Sequence, residues 1–168
     1  MNKKKTVIIV LIVLFIITLR LYFLYSENNK LDSLYDNPIK VNQIYNNYTY
    51  DEYSEHVTIL TYDSDQEVVE IPEKINDKKV LAIDDSAFYG KQKLRKVIVS
   101  KYVIRIGHQS FIGCDNLEEV ILPDNLSDIG GYAFRVCPKL KNIYVKKGSK
   151  TEKSLKVTPF TKYIKYKE

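Results

Sequence analysis

The sequence predicts a mainly β protein, a short solenoid of about three 23-residue coils preceded by one transmembrane helix. Two observations predict this fold class. Apolar residues recur in the same columns every 23 residues between Val80 and Gly148, and an uncharged apolar run lies near the amino terminus. The composition suits a globular chain and excludes disorder, since 45% of the 168 residues are hydrophobic and 28% are charged.

The amino-terminal segment has the pattern of a membrane anchor. Residues 1–5 form a basic tail with three lysines, and residues 6–25 contain Arg20 as their one charged side chain. Twenty residues make a helix of about 30 Å, which matches a bilayer core. The lysines predict a single-pass signal anchor with a cytoplasmic amino terminus and an extracytoplasmic repeat domain. The alternative is cleavage of a signal peptide, which would give a secreted protein.

The segment between the anchor and the repeats is divided into a stalk and a lead-in. Residues 26–49 are rich in Asn and Tyr without a clear period, and they are predicted to form the stalk. The repeat domain then covers residues 50–168. In its lead-in, Val57–Ile59 and Val68–Pro72 are predicted to pair as strands about a turn at Asp63–Asp65. This lead-in is expected to cap the amino end, because each end coil of a solenoid exposes its core.

Three consecutive segments align without a gap, residues 80–102, 103–125 and 126–148. In each, the pattern Leu-x-x-apolar-x-apolar predicts a strand, and the equal phase predicts parallel stacking with one strand per coil. An Ile and a Phe are expected to reach the same core from the opposite side. The predicted core columns are Ile83, Ile106 and Ile129; Phe88, Phe111 and Phe134; Leu94, Leu117 and Leu140; Val97, Val120 and Ile143; and Val99, Leu122 and Val145.

The turn after each Phe predicts a position with positive φ. Gly90 and Gly113 occupy it in the first two repeats, and glycine adopts that conformation without steric cost. Val136 takes the place in the third repeat, so an altered turn is expected there.

These repeats resemble the BspA-like leucine-rich-repeat family. The resemblance covers about residues 50–165, and it implies a right-handed leucine-rich-repeat solenoid with a β amino cap. It also implies a small carboxy cap of a helix and a strand at residues 149–168, and a cell-surface role in protein binding or adhesion. In the second repeat the family pattern is matched by Ile106, Gly107, Phe111, Gly113, Cys114, Leu117, Val120, Leu122 and Pro123.

Strand residues between the core positions are expected to face outward. Solenoids bind partners on such extended faces, so the sequence predicts a protein-binding face with an apolar column at its centre. The alternative is a ladder of β-forming side chains that stabilises neighbouring strands and binds nothing. The predicted face consists of Lys96, Ile98, Glu119, Ile121, Asn142 and Tyr144.

The sequence predicts no catalytic residue, no cofactor site and no metal site. Ser110, His108 and Asp128 can be written as a catalytic triad, but their spacing imposes no common geometry. Cys114 and Cys137 share one phase and are expected to be neighbours in successive coils. They are either buried thiols or a disulfide.

Charge is divided unevenly along the chain. Residues 26–138 carry 12 basic and 19 acidic side chains, a net of −7, whereas residues 139–168 carry 10 and 2, a net of +8. An outward-facing domain excludes a nucleic-acid partner, but the lysine-rich carboxy end suits contact with an anionic polymer. The predicted function is a membrane-anchored, non-catalytic module that binds an unknown surface protein or a host or envelope ligand. The alternatives are a structural or regulatory subunit of an envelope complex and a secreted hydrolase with an unrecognised site.

Overall fold

The computed structural model describes the backbone of residues 3–32 and 36–167, in two units that meet after Asp36. The first unit contains helix α1 (Lys3–Asp32), whose side chains are described for residues 12–26 and are all exposed.

The transmembrane helix predicted over residues 6–25 is not supported. Among the described residues, no helix is both long enough and apolar enough to cross a membrane. The side chains of residues 1–11, which include the basic tail and the start of the predicted span, lie outside the described residues.

The second unit is a mainly β domain, as predicted, with two sheets and a small helical segment near its carboxy end. Helix α2 (Lys150–Lys156) and a 3₁₀ helix (Pro159–Tyr163) precede the last strand. The strands are β1 (Lys40–Tyr45), β2 (Tyr48–Glu52), β3 (His56–Tyr62), β4 (Val68–Glu70), β5 (Lys74–Ile75), β6 (Lys78–Ile83), β7 (Lys96–Ile98), β8 (Arg105–Ile106), β9 (Glu119–Ile121), β10 (Asp128–Ile129), β11 (Asn142–Val145) and β12 (Ile164–Tyr166).

One sheet is a parallel ladder of five short strands in the order β12–β11–β9–β7–β4. Its three middle strands are the predicted repeat strands, and Val97, Val120 and Ile143 lie opposite one another. The predicted parallel stacking is therefore confirmed. The strands β4 and β12 continue the ladder at its two ends, so each cap contributes one strand to it.

The other sheet has the order β1–β2–β3–β6–β8–β10, with β5 paired to β6. The strands β1, β2 and β3 are antiparallel neighbours that cover the amino end, whereas β3, β6, β8 and β10 run parallel. The pairing predicted between Val57–Ile59 and Val68–Pro72 is wrong, because β3 pairs with β2 and β6 while β4 pairs with β7. The lead-in therefore resembles a further coil, because β3 joins this sheet beside β6 and β4 joins the parallel ladder beside β7.

The structured domain begins earlier than the sequence indicates. The strand β1 and the first residues of β2 lie within residues 26–49, the predicted stalk, and form an antiparallel pair. Most side chains of β1 are exposed, and buried and exposed positions do not alternate along it. Asn42, with a φ of 50°, lies where its pairing register with β2 shifts. The sequence of such a strand lacks the two-residue alternation of apolar and polar residues from which a strand is predicted.

The core lies between the two sheets, and all five predicted columns are buried. Phe88 stacks on Phe111 with 4.8 Å between ring centroids, and Phe111 stacks on Phe134 at 5.4 Å. Tyr62 continues the stack at the amino end, 4.9 Å from Phe88, and Phe160 closes it at the carboxy end, 5.3 Å from Phe134. Both predicted caps therefore cover the ends of the core.

Candidate binding face

The structure places all six predicted face residues on the outer side of the ladder. Lys96, Glu119 and Asn142 lie opposite one another on β7, β9 and β11, and each is half-buried. A second row, two positions further along each strand, is apolar and also half-buried. It consists of Ile98, Ile121 and Tyr144.

Three further residues belong to this face and were not predicted. Val68 and Glu70 of β4 lie opposite Lys96 and Ile98, and both are exposed. Lys165 of β12 lies opposite Tyr144 and is exposed as well. The apolar row therefore has an acidic residue at one end and a basic residue at the other.

A chain of ion pairs borders the face where the strands begin. Arg95 contacts Glu67 at 3.7 Å and Glu118 at 3.1 Å, and Lys141 contacts Glu118 at 2.9 Å. The signs alternate along four successive coils. Hydrogen bonds from Lys141 and then from Arg95 lower the pKa of Glu118. Because most of these groups are well exposed, each pair adds little to stability.

A shallow cavity of about 340 Å³ lies along this border. Three members of the ion-pair chain line it together with Val68, Lys96 and Glu119, and Lys96 contacts Glu119 at 3.2 Å. The face as a whole is a half-exposed apolar strip with a charged rim. Such a surface can bind a protein segment through apolar contact, with specificity from the rim.

The structure does not bring Ser110, His108 and Asp128 together as a catalytic triad. Ser110 is fully buried, and its hydroxyl donates to the carbonyl oxygens of Gly107 at 2.6 Å and Asp84 at 3.1 Å. His108 is exposed and packs edge-on against a tyrosine ring, and Asp128 contacts Arg105 at 3.4 Å. Among the described residues, these three side chains each have other partners, and no cluster of His, Cys, Asp or Glu is placed to hold a metal ion.

Cys114 and Cys137 are buried free thiols, which decides between the two alternatives of the sequence. Each sulfur donates to a carbonyl of the preceding coil, that of Cys114 to Phe88 at 3.2 Å and that of Cys137 to Phe111 at 3.1 Å. Burial raises the pKa of Cys114 to about 12 and that of Cys137 to about 11. The thiolate that reacts with oxidants and metals is therefore scarce at neutral pH.

Some lysines of the carboxy end form ion pairs within the domain. Lys146 contacts Asp124 at 3.5 Å, and Lys156 contacts Glu152 at 2.7 Å. Lys153 and Lys165 are exposed. Contact of this end with an anionic polymer stays a prediction.

Residues 81–162 match the family model described as the BspA type leucine rich repeat region, in six copies. The repeats are BspA-type leucine-rich repeats. The resemblance read from the repeat columns is thereby confirmed. None of the curated proteins compared with the chain is similar to it in sequence.

Solved structures of leucine-rich repeat proteins share the fold of this BspA-type domain. A leucine-rich repeat protein from Bacteroides capillosus ATCC 29799 has a TM-score of 0.61 and 23% identity, over 79% of this chain and 100% of that one. A leucine-rich repeat protein from Bacteroides ovatus ATCC 8483 has a TM-score of 0.54 and 25% identity, over 61% of this chain and 31% of that one. They support the solenoid architecture and say nothing of a ligand.

Proposed function

We propose that this BspA-type domain is a non-catalytic protein-binding module that works in recognition or adhesion at the cell surface. The observation that carries the proposal is the half-exposed apolar row Ile98, Ile121 and Tyr144, held in register across parallel strands and bordered by charges. Large side chains that stay accessible at the centre of a rigid face are what protein interfaces use as anchors.

The charges at the ends of the row indicate the partner's chemistry. Glu70 lies at one end and Lys165 at the other, and both are exposed. A partner segment that crosses the strands with a basic residue, an apolar centre and an acidic residue would match this order. Complementary end charges set orientation and association rate more than affinity.

We also propose that residues 6–25 attach the domain to a membrane, with the repeat domain outside. The support is the predominantly apolar sequence of this segment, in which Arg20 is the one charged residue, and the full exposure of its described side chains. A helix that is apolar on all sides is stable in a lipid environment or a large core. Retention of the full chain in membranes after alkaline extraction is the expected result, and release into the supernatant would contradict it.

The binding face is tested with the double variant Ile121→Lys and Tyr144→Ala in the full chain. The first change places a charge in the apolar row, and the second removes its largest side chain. We expect loss of partner capture in crosslinking and pull-down from the native cells, with an unchanged far-UV circular dichroism spectrum.

A matched control makes the same two changes off the face. Val157 is 88% exposed and Tyr89 is 66% exposed, so Val157→Lys with Tyr89→Ala also adds one charge and removes one aromatic ring at the surface. This control should capture partners as the native chain does. Capture that survives the face variant would show that the row is only a stacking ladder.

A further inference from the structure

The ladder has two open ends. β4 and β12 are its outermost strands, and no described strand pairs with the outer edge of either. Both run in the same direction as the strands between them. An exposed strand edge is a template for pairing with another strand. Two parallel edges at opposite ends of one ladder can pair with each other only between different molecules.

The backbone groups at the two edges are in compatible phase. Lys96 donates to the carbonyl of Glu67, and Ile71 donates to that of Ile98, so the intervening Val68 and Glu70 point their backbone groups outward. The hydroxyl of Tyr48 donates to the Glu70 carbonyl at 3.3 Å, and that oxygen keeps a second lone pair.

At the other edge, the amide of Lys167 donates to the Val145 carbonyl at 2.9 Å. Tyr166 and the carbonyl of Ile164 therefore point outward, whereas the Ile164 amide donates to the Thr161 carbonyl at the end of the 3₁₀ helix. If Ile164 is placed opposite Val69 of a second copy, the Glu70 amide can donate to the Ile164 carbonyl and the Tyr166 amide to the Glu70 carbonyl, as in a parallel pair. The same placement continues the core column Val69, Val97, Val120, Ile143 and Ile164.

The charges agree with this register. With Ile164 opposite Val69, Lys165 lies directly beside Glu70 of the second copy, at the cross-strand distance of about 5 Å. The ion-pair chain also begins with the acidic Glu67 near β4 and ends with the basic Lys141 on the side of β12, so its two ends carry opposite charges. On a larger scale, residues 139–168 carry a net of +8 and include β11 and β12, at one end of the ladder.

We propose that copies of this chain associate head to tail, the outer edge of β12 on one copy pairing in parallel with the outer edge of β4 on the next. The occupant of each end is a second copy because the register, the hydrogen-bond phase and the charge of one end match the other end of the same domain. Such an interface is heterologous, and it generates a row of molecules unless the rotation per step closes a ring.

The first test is crosslinking of the full chain in detergent micelles. Val68→Cys and Lys162→Cys place one thiol on each side of the proposed junction and leave Glu70 and Lys165 intact. The native cysteines are buried, so a short bismaleimide should react with the new ones. We expect a covalent dimer when the two variants are mixed and none from either alone. A dimer from one variant alone would indicate a two-fold interface, and no dimer from the mixture would refute the pairing; both overturn the proposal.

The second test exchanges the charges at the junction. Glu70→Lys and Lys165→Glu should each lower the association constant by about five-fold or more, because like charges then face each other. The double variant restores an opposite pair and should recover association, measured by analytical ultracentrifugation. Lys153→Glu makes the same charge change on α2 and should have no effect. Helix α1 is common to all variants and cannot produce this pattern. A double variant as weak as the single ones would contradict the proposed register.

Discussion

Val136 shows how the stack imposes a backbone conformation on a side chain that disfavours it. Its φ is 56°, in the region that Gly90 and Gly113 occupy in the preceding coils at 65° and 71°. The altered turn expected from the sequence is therefore absent, and the expectation is wrong. The amide of Gly113 donates to the carbonyl of Arg135 in the next coil, so hydrogen bonds between coils fix this turn whatever the residue. The left-handed conformation costs an L-residue about 1–2 kcal/mol.

We expect Val136→Gly to raise the free energy of unfolding by about 1 kcal/mol, the relieved strain less the greater entropy of glycine in the unfolded chain. Urea unfolding followed by circular dichroism measures it. Val157 is exposed with a φ of −94°, so Val157→Gly should not stabilise. A loss of stability in Val136→Gly would mean that the valine contributes packing to the cavity of about 360 Å³ that it lines with Phe134 and Phe160.

The sequence identifies residues that recur at a constant spacing from coil to coil, and it misses residues whose spacing differs. The core columns and the six face residues recur every 23 positions. Because the coils stack in register, residues at equivalent positions of successive repeats lie beside one another. Val69 lies 28 positions before Val97, and Ile164 lies 21 after Ile143, although both occupy the same column. Insertions and deletions in the connecting loops do not disturb a ladder, but they remove the period. Val68, Glu70 and Lys165 were missed for this reason.

Among the elements, the carboxy cap depends on one carboxylate. Glu152 accepts from Lys156 at 2.7 Å, from the Gly148 amide at 2.6 Å and from the Tyr166 hydroxyl at 2.9 Å. It thereby joins α2 to the turn before it and to β12. The hydrogen bond from Lys156, followed by those from Gly148 and Tyr166, lowers the pKa of Glu152 to about 2. Ser149 completes the start of α2 by accepting from the Glu152 amide at 3.1 Å.

This lowered pKa predicts a pH dependence of stability. A carboxylate whose pKa falls on folding stabilises the protein above its unfolded pKa, near 4.5, and that contribution is lost as the pH drops toward 2. The melting temperature should therefore decrease over this window. Glu152→Gln should lower the melting temperature at pH 7 and flatten its dependence between pH 5 and pH 2, as differential scanning calorimetry would measure.

The matched control for the decrease between pH 5 and pH 2 is Glu55→Gln, which removes an exposed carboxylate near the other end of the domain. Its profile should follow that of the native chain. If Glu152→Gln loses stability with acid as steeply as the native chain, other carboxylates determine the acid response, and Glu152 contributes only neutral hydrogen bonds.

On the scale of the whole molecule, one aromatic stack joins the two caps. It begins with Tyr48 on Tyr62, 5.0 Å apart, continues through the three repeat phenylalanines, and ends with Phe160 set edge-on to Phe134. Each ring is buried by its neighbours in the adjacent coils. In a solenoid of so few coils, stability is the sum of nearest-neighbour contacts, so the exposed end contact determines whether the end coil stays folded.

We expect Phe160→Ala to destabilise the domain by about 3–5 kcal/mol, since the ring is 5% exposed and closes the core. Val157→Ala, three residues away and 88% exposed, should change stability by less than about 0.5 kcal/mol. Guanidinium unfolding read by near-UV and far-UV circular dichroism separates two outcomes. Coincident transitions with an unchanged denaturant slope would show that the stack makes five ladder strands one cooperative unit. A separate early transition would show instead that α2, the 3₁₀ helix and β12 unfold alone, and the cap would then be an accessory to a self-sufficient stack.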